Sequence, residues 1–260
     1  MLNPAYPASL LSRVEDAGLN ASAPPQQRWV DGWLLRFSPG KAKRARCINA
    51  VADGRLPLAE RLALCEAVYR EAGLPMFVRI TPFTQPMGLD ATLAAAGFHS
   101  IDDTRVMVAP DGPDQAEALP PGLALERLSP ADFAEQVGAL RGSPAGQRVA
   151  HAERLALSPV PYEGWVLRRR EDGHIAACGQ IATEGDLVGL YDVFTHPDSR
   201  GQGLARVLCG QLLARARSGG ARVAYLQVEG DNAPARAVYR RLGFADAYAY
   251  HYRTPEPGAH

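Results

Sequence analysis

The chain has 260 residues, more than one ordinary domain of about 100–200 residues, so two domains or one large α/β unit is the starting expectation. Lys plus Arg and Asp plus Glu both number 28, for a formal charge of +0, which excludes a strongly steered polyanionic ligand and argues against nucleic acid. Cys47, Cys65, Cys178 and Cys209 form no C-x-x-C pair and lack metal-spaced histidines, so neither a zinc site nor a disulfide framework is expected, and a reducing cytoplasm fits. No basic leader with a long apolar run opens the chain, and no stretch approaches the roughly 18 apolar residues of a membrane span, so a soluble protein is expected.

In chain order, the first half reads as strands at Gly32 to Ser38 and Ala45 to Ala50, a helix from Leu58 to Ala72, a strand from Met76 to Ile80 and a helix from Leu89 to Ala96. The basic run Lys41 to Arg46 reads as a solvated hairpin loop, because Asp31, Asp53 and Glu60 lie near in sequence and no aromatic ladder accompanies it. Ala109 to Gly122 is rich in Pro, Gly and acidic residues, which solvates the backbone and marks a boundary. The expected division is therefore 1–110, a linker at 111–120, and 121–260.

The second half is sharper. Leu123 to Leu128 alternates like a strand, and Ser129-Pro-Ala-Asp132 supplies an N-cap, a first-turn proline and a carboxylate for a helix. Gly164 to Arg170, His174 to Thr183 and Leu187 to Thr195 read as an antiparallel meander broken by Glu171-Asp-Gly173 and Glu184-Gly-Asp186. Leu204, Val207, Leu208 and Leu212 have helical spacing, and Ser218-Gly-Gly220 stops that helix. Ala221 to Val228 is a strand, Asp231 or Asn232 caps a last helix carrying Ala235, Val238, Tyr239 and Leu242 inward, and Tyr248 to Arg253 closes the chain as an edge strand. Two phrases echo between the halves, Gly32-Trp-Leu-Leu-Arg36 with Gly164-Trp-Val-Leu-Arg168, and Gly97-Phe98 with Gly243-Phe244. They point to a duplicated unit.

The segment richest in chemistry is Arg200-Gly-Gln-Gly-Leu-Ala205, a glycine-punctuated turn between a strand and an amphipathic helix. First-turn N–H groups lack intrahelical partners and the helix dipole adds positive charge, so such a turn is an anion cradle. Gly201 and Gly203 permit close approach and positive φ, while Arg200 and Arg206 can add charge. A tight turn relieved by glycines is the plainer alternative. No Lys-Ser or Lys-Thr follows, and Arg206 stands where a dinucleotide fingerprint needs a third small residue, so nucleotide hydrolysis and hydride transfer drop out.

This turn resembles the R/Q-x-x-G-x-G/A signature of the GNAT N-acetyltransferase superfamily, and Asn232-Ala-Pro-Ala235-Arg-Ala-Val-Tyr239-Arg-Arg-Leu-Gly243-Phe244 resembles its N-x-x-A-x-x-x-Y-x-x-x-G-F segment. The likeness covers roughly Pro121 to Arg253. The first half follows the same outline without the turn, as in tandem members whose N-terminal copy has degenerated. The resemblance implies an α/β (α+β) fold of tandem GNAT-like domains, each a mixed, mostly antiparallel sheet flanked by helices.

It also implies acetyl-CoA as co-substrate without a metal, and a small-molecule or peptide amine as acceptor, with a homodimer as one option. Arg200, Gly201, Gln202, Gly203, Leu204 and Ala205 would hold the pyrophosphate, and Val193, Phe194 and Thr195 on the splayed strand would meet pantetheine together with Asn232. Tyr239 would protonate the departing thiolate, the plainer alternative being a core tyrosine. Glu229 is the favoured base, with Asp192 beside it, although each has a structural alternative. His196 is expected at the surface. Aligning Gly97 with Gly243 puts Leu93 opposite Tyr239, so the first half should be catalytically silent. The acceptor is expected against Phe133 to Tyr162, which carries Arg141, Arg148, His151 and Glu153. The competing reading of the whole chain is a non-catalytic acyl-CoA-binding sensor, and a third assigns the first half to partner binding through an exposed sheet edge.

Overall fold

The computed structural model of the chain describes residues 1–38, 42–110 and 116–256. Lys41 and half of the expected linker, 111–115, lie outside the described residues. The first half contains α1 (Ala8–Ala21), β1 (Gln26–Val30), β2 (Trp33–Phe37), β3 (Ile48–Asn49), α2 (Leu58–Glu71), β4 (Val78–Ile80), α3 (Leu89–Ala95) and β5 (His99–Ala109). The second contains β6 (Leu123–Leu128), α4 (Pro130–Leu140), α5 (Ala145–Ala156), β7 (Tyr162–Arg169), β8 (Ile175–Glu184), β9 (Leu187–Thr195), α6 (Leu204–Ser218), β10 (Val223–Glu229), α7 (Ala233–Arg241) and β11 (Ala245–Thr254). The cap at Ser129 forms as expected, its side chain accepting from the Asp132 N–H.

Among the described residues, eleven strands join one mixed, mostly antiparallel sheet in the order β1-β2-β3-β4-β11-β5-β10-β9-β8-β7-β6. The two halves therefore share a sheet rather than each closing its own. Each crosses from one parallel strand to the next through a helix, β3–α2–β4 in the first half and β9–α6–β10 in the second. Each then sends its last strand into the other: β11 pairs with β4, and β5 pairs with β10. The expected edge strand at Tyr248 to Arg253 is thus interior, and Tyr248, Tyr250 and Tyr252 are buried by neighbours from the first half. The sheet's outer edges are β1 and β6.

This topology sorts the two echoed phrases. Gly97-Phe98 and Gly243-Phe244 hold equivalent places, since the Phe98 N–H donates to the Leu93 carbonyl at 3.0 Å and the Phe244 N–H to the Tyr239 carbonyl at 3.1 Å. The tryptophan phrases do not correspond. Counting strands back from each crossover matches β2 with β8, whereas Trp165 lies on β7.

Side-chain alternation distributes the core between the two faces. Trp165 and Leu167 pack with Leu208 and Leu212 of α6, while Val166 between them packs with Phe133 of α4. Gly164 allows that contact, because a Cβ there would lie 2.5 Å from the Phe133 ring. The strand expected over Ala45 to Ala50 shrinks to Ile48–Asn49, preceded by a 3₁₀ turn at Lys43–Ala45. Helix α1, absent from the sequence expectations, buries Leu11 and Val14 in its first half and the small residues Ala17, Gly18 and Ala21 in its second. Among the described residues no helix is long and apolar enough to cross a membrane, and no cluster of His, Cys, Asp and Glu gathers to hold a metal.

Candidate active site

Strands β9 and β10 run parallel from Leu187 and Val223 up to Leu190 and Leu226. Beyond that point β9 continues to Thr195 and β10 to Glu229 without pairing with each other. The divergence follows from a bulge: β8 pairs Gln180 with Tyr191 and then Cys178 with Phe194, and Asp192 inside the shift takes a left-handed φ of +50°. A non-glycine residue in this region stores strain and re-aims its strand.

A cleft of about 690 Å³ opens at the divergence. Val193 and Phe194 line one arm, Glu229 the other, and Asn232 and Tyr239 come in from α7. The structure thus gathers both candidate catalytic groups, Tyr239 and Glu229, with three of the residues expected to meet pantetheine. Thr195 is absent from the lining and pairs with Ala177. Asn232 also caps α7, its Oδ1 accepting from the Ala235 N–H at 3.2 Å.

Tyr239 is 8 % exposed and packs edge-on against Phe244 at 6.0 Å between centroids. Burial, reinforced by Cys209, pushes its hydroxyl pKa upward, so the phenol keeps its proton at neutral pH and is available as a donor. Cys178 and Cys209 are also raised by burial, each to about 12. Neither is a thiolate poised to accept an acyl group.

Asp192 lies between Arg141 Nη1 at 3.1 Å and His151 Nε2 at 3.3 Å. Burial raises its carboxyl, but the His151 contact and the charges of His151, Arg141 and Arg154 outweigh that effect and hold it well below the usual carboxylate range. Such a group keeps its charge and makes a weak base. Glu229 is exposed at the end of β10, and among the described residues no cation pairs with it. Of the two carboxylates it is the one without an ion-pair role.

The glycine turn leads from the end of β9 to α6. Gly201 and Gly203 adopt φ of +75° and +73°, the left-handed region where a side chain is strained. A Cβ at either would meet nothing within 4 Å, so backbone conformation, rather than crowding within the protein, selects glycine. Gly203 is the N-cap of α6 and no side chain caps the helix, which leaves its first N–H groups without a side-chain acceptor, the arrangement an anion cradle needs. Arg206 is bound to Glu117, whereas Arg200 has no ion pair among the described residues. His196 caps the 3₁₀ turn Pro197–Ser199, accepting from the Asp198 N–H at 3.3 Å.

Of the residues expected on the acceptor side, Arg141 and His151 line the cleft, whereas Arg148 turns away to Glu135 at 3.0 Å and Glu153 lies elsewhere. The opposite wall was missed by sequence reading. It comes from the first half: Lys43 and Arg44 on the 3₁₀ turn, and Asp102 and Thr104 on β5. The basic run expected to be solvated is part of this wall because Lys43 pairs with Asp102 at 2.9 Å and Arg44 reaches Gln227 of β10 at 2.9 Å.

Comparison with known proteins agrees with this geometry. The acetyltransferase (GNAT) family matches residues 144–244, from the start of α5 through the cradle to Phe244. The chain is 24% identical to YobR, an uncharacterized N-acetyltransferase of Bacillus subtilis, over 230 residues, or 87% of this chain and 91% of that protein. It is 32% identical to a mycothiol acetyltransferase of Clavibacter michiganensis over 198 residues, which is 71% of this chain and 64% of that protein. In fold it resembles a GCN5-related N-acetyltransferase from Kribbella flavida, with a TM-score of 0.69, 17% identity and 96% coverage of both chains. It also resembles a tandem GNAT protein from the clavulanic acid pathway, with a TM-score of 0.60, 18% identity and coverage of 77% and 70%. The chain carries a GNAT acetyltransferase domain, and its class is that of the acyl-CoA N-acyltransferases.

Proposed function

We propose that this protein transfers an acetyl group from acetyl-CoA directly to a primary amine, in the cytoplasm, with residues 121–260 performing the chemistry. The observation that carries the reading is the divergence of β9 and β10 after Leu190 and Leu226, which opens on Tyr239 and Glu229 together. The uncapped, positive-φ turn at Gly201 and Gly203 suits a diphosphate held mainly by main-chain hydrogens. In this reading Arg200 and the 201–205 backbone anchor that end of the donor. Val193, Phe194 and Asn232 guide pantetheine, and the Val193 N–H faces the thioester oxygen.

The amine nitrogen then attacks the carbonyl carbon. A C–N bond forms and the C–S bond breaks; Glu229 takes the amine proton, directly or through water, and Tyr239 gives its proton to the leaving thiolate. The raised pKa of buried Tyr239 suits this role, since the phenol stays protonated until sulfur demands the proton. The first half is read as a degenerate copy that supplies the acceptor wall.

The test is thiol release from acetyl-CoA by the purified chain across a broad amine library, repeated with Tyr239→Phe. The variant should turn over about 10- to 1000-fold more slowly with acetyl-CoA affinity nearly intact. Unchanged turnover removes Tyr239 from the mechanism. Coenzyme binding without thiol release from any amine would favour the sensor reading.

A further inference from the structure

The charges in the cleft do not balance internally. Four cations, Lys43, Arg44, Arg141 and Arg154, together with His151 beside Asp192, face three carboxylates, Asp102, Asp192 and Glu229. Two of the cations are committed, Lys43 to Asp102 at 2.9 Å and Arg141 to Asp192 at 3.1 Å. Arg154 donates to the Ala21 carbonyl at 3.2 Å and lies over the Tyr162 ring.

Arg44 is the unusual one. Its Nη1 donates to Gln227 Oε1 at 2.9 Å and more weakly to the Tyr250 hydroxyl at 3.4 Å, both neutral, and Tyr250 donates to the same Gln227 oxygen at 2.7 Å. Its Nε is buried without a partner. Among the described residues no carboxylate bonds to this guanidinium. Gln227 is the first β10 residue beyond the last β9–β10 pair, so Arg44 is held at the mouth of the divergence, on the wall opposite α5.

A guanidinium with unfilled donors in a cleft binds a planar anion well, because two parallel charge-assisted bonds suit a carboxylate. We infer that the acceptor is an amine that also carries a carboxylate, and that Arg44 is the residue that selects it. The inference rests on the acetyl-transfer reading and deepens it by naming the acceptor class. Arg44 comes from the first half, so the half without a cradle would set acceptor choice for the half that has one.

The experiment is calorimetric titration of the full chain, saturated with CoA, with matched pairs: β-alanine and ethylamine, lysine and cadaverine, phenylalanine and phenethylamine. Phosphoethanolamine forms a separate arm. The carboxylated member should bind at least about 10-fold tighter, or about 1.4 kcal/mol. Arg44→Ala should bring that ratio towards one, while Arg44→Lys keeps part of it; CoA affinity serves as the check that each variant is folded. Equal binding across the pairs overturns the inference, as does tighter binding of phosphoethanolamine. So does a ratio that survives Arg44→Ala or Arg44→Lys unchanged in protein that still binds CoA. Failure of the acetyl-transfer reading would show separately, as no thiol release from acetyl-CoA with any amine, because the binding ratio does not depend on turnover.

Discussion

The two helix crossovers of this sheet, β9–α6–β10 and β3–α2–β4, have the same connectivity and opposite contents. At the first, no side chain caps the start of α6, and a Cβ built on Gly201 or Gly203 would meet nothing within 4 Å. At the second, the turn before α2 is already filled by Asp31, whose carboxylate accepts from the Arg55 and Leu56 N–H groups at 2.8–2.9 Å and from Arg61 Nε at 2.8 Å. Gly54 shares the left-handed φ of the cradle glycines, yet a Cβ there would lie 2.3 Å from the Asp31 carbonyl oxygen. An internal carboxylate sits where an external anion would be needed.

The strand ends repeat the contrast. A second cavity, of about 380 Å³, lies beyond the β3–β4 pair and is lined by Ser12, Glu15, Asp16 and Leu19 of α1. The second-half cleft is lined by Gln147, Ala150, His151 and Arg154 of α5 at the same helical spacing. The first-half cavity holds a buried Glu15–Arg79 ion pair sealed by the Tyr248 hydroxyl, which donates to Glu15 at 2.7 Å. A buried pair that blocks a site and a site left open for a ligand are two outcomes of one backbone plan.

Substitutions at equivalent positions break or sharpen this comparison. The largest effect is expected at the pair Tyr239 and Leu93. Where Tyr239→Phe costs turnover at little cost in stability, Leu93→Ala should cost about 2–5 kcal/mol of stability, since it empties a fully buried position. Denaturant melts and per-folded-molecule rates measure both; a Leu93→Ala enzyme that stays stable but loses turnover would make the first half catalytic.

A smaller effect is expected for Asp31→Ala, which leaves two turn N–H groups and the Arg61 guanidinium without their acceptor. A melting temperature lower by a few degrees is expected, with the number of bound acetyl-CoA molecules unchanged. A melting temperature equal to that of the parent would show that the plug does not stabilise the first half.

The smallest concerns pH. Asp192 is depressed in the folded state, so its stabilising contribution is complete above the ordinary carboxylate pKa of about 3.9 and is lost as pH falls through its lower folded value. Stability curves of the parent and Asp192→Asn should therefore run apart between pH 7 and about 4, then converge at more acid pH. Parallel curves over the whole range would remove the ion-pair role.

How much of this was legible follows from how local each signal is. The α6 and α7 periodicities, the Ser129 cap and the Gly201–Gly203 turn are read from neighbours a few residues apart. The exchange of β5 and β11 was not, because nothing within Tyr248 to Arg253 distinguishes an edge strand from one covered by residues more than 140 positions earlier. Arg44 was hidden for the same reason. A basic run has the composition of a solvated loop until Gln227 and Tyr250 arrive beside it. Asp192 was visible as a carboxylate, but its partners Arg141 and His151 stand on or beside helices about 40–50 positions away.

The most direct test of the asymmetry is calorimetric titration of acetyl-CoA into the parent chain and Gly203→Val. One molecule per chain should bind the parent, and the branched side chain, strained at φ +73° and projecting into the cradle, should weaken binding at least about 10-fold. Two bound molecules, or equal affinity in the variant, would contradict a single cradle at the start of α6.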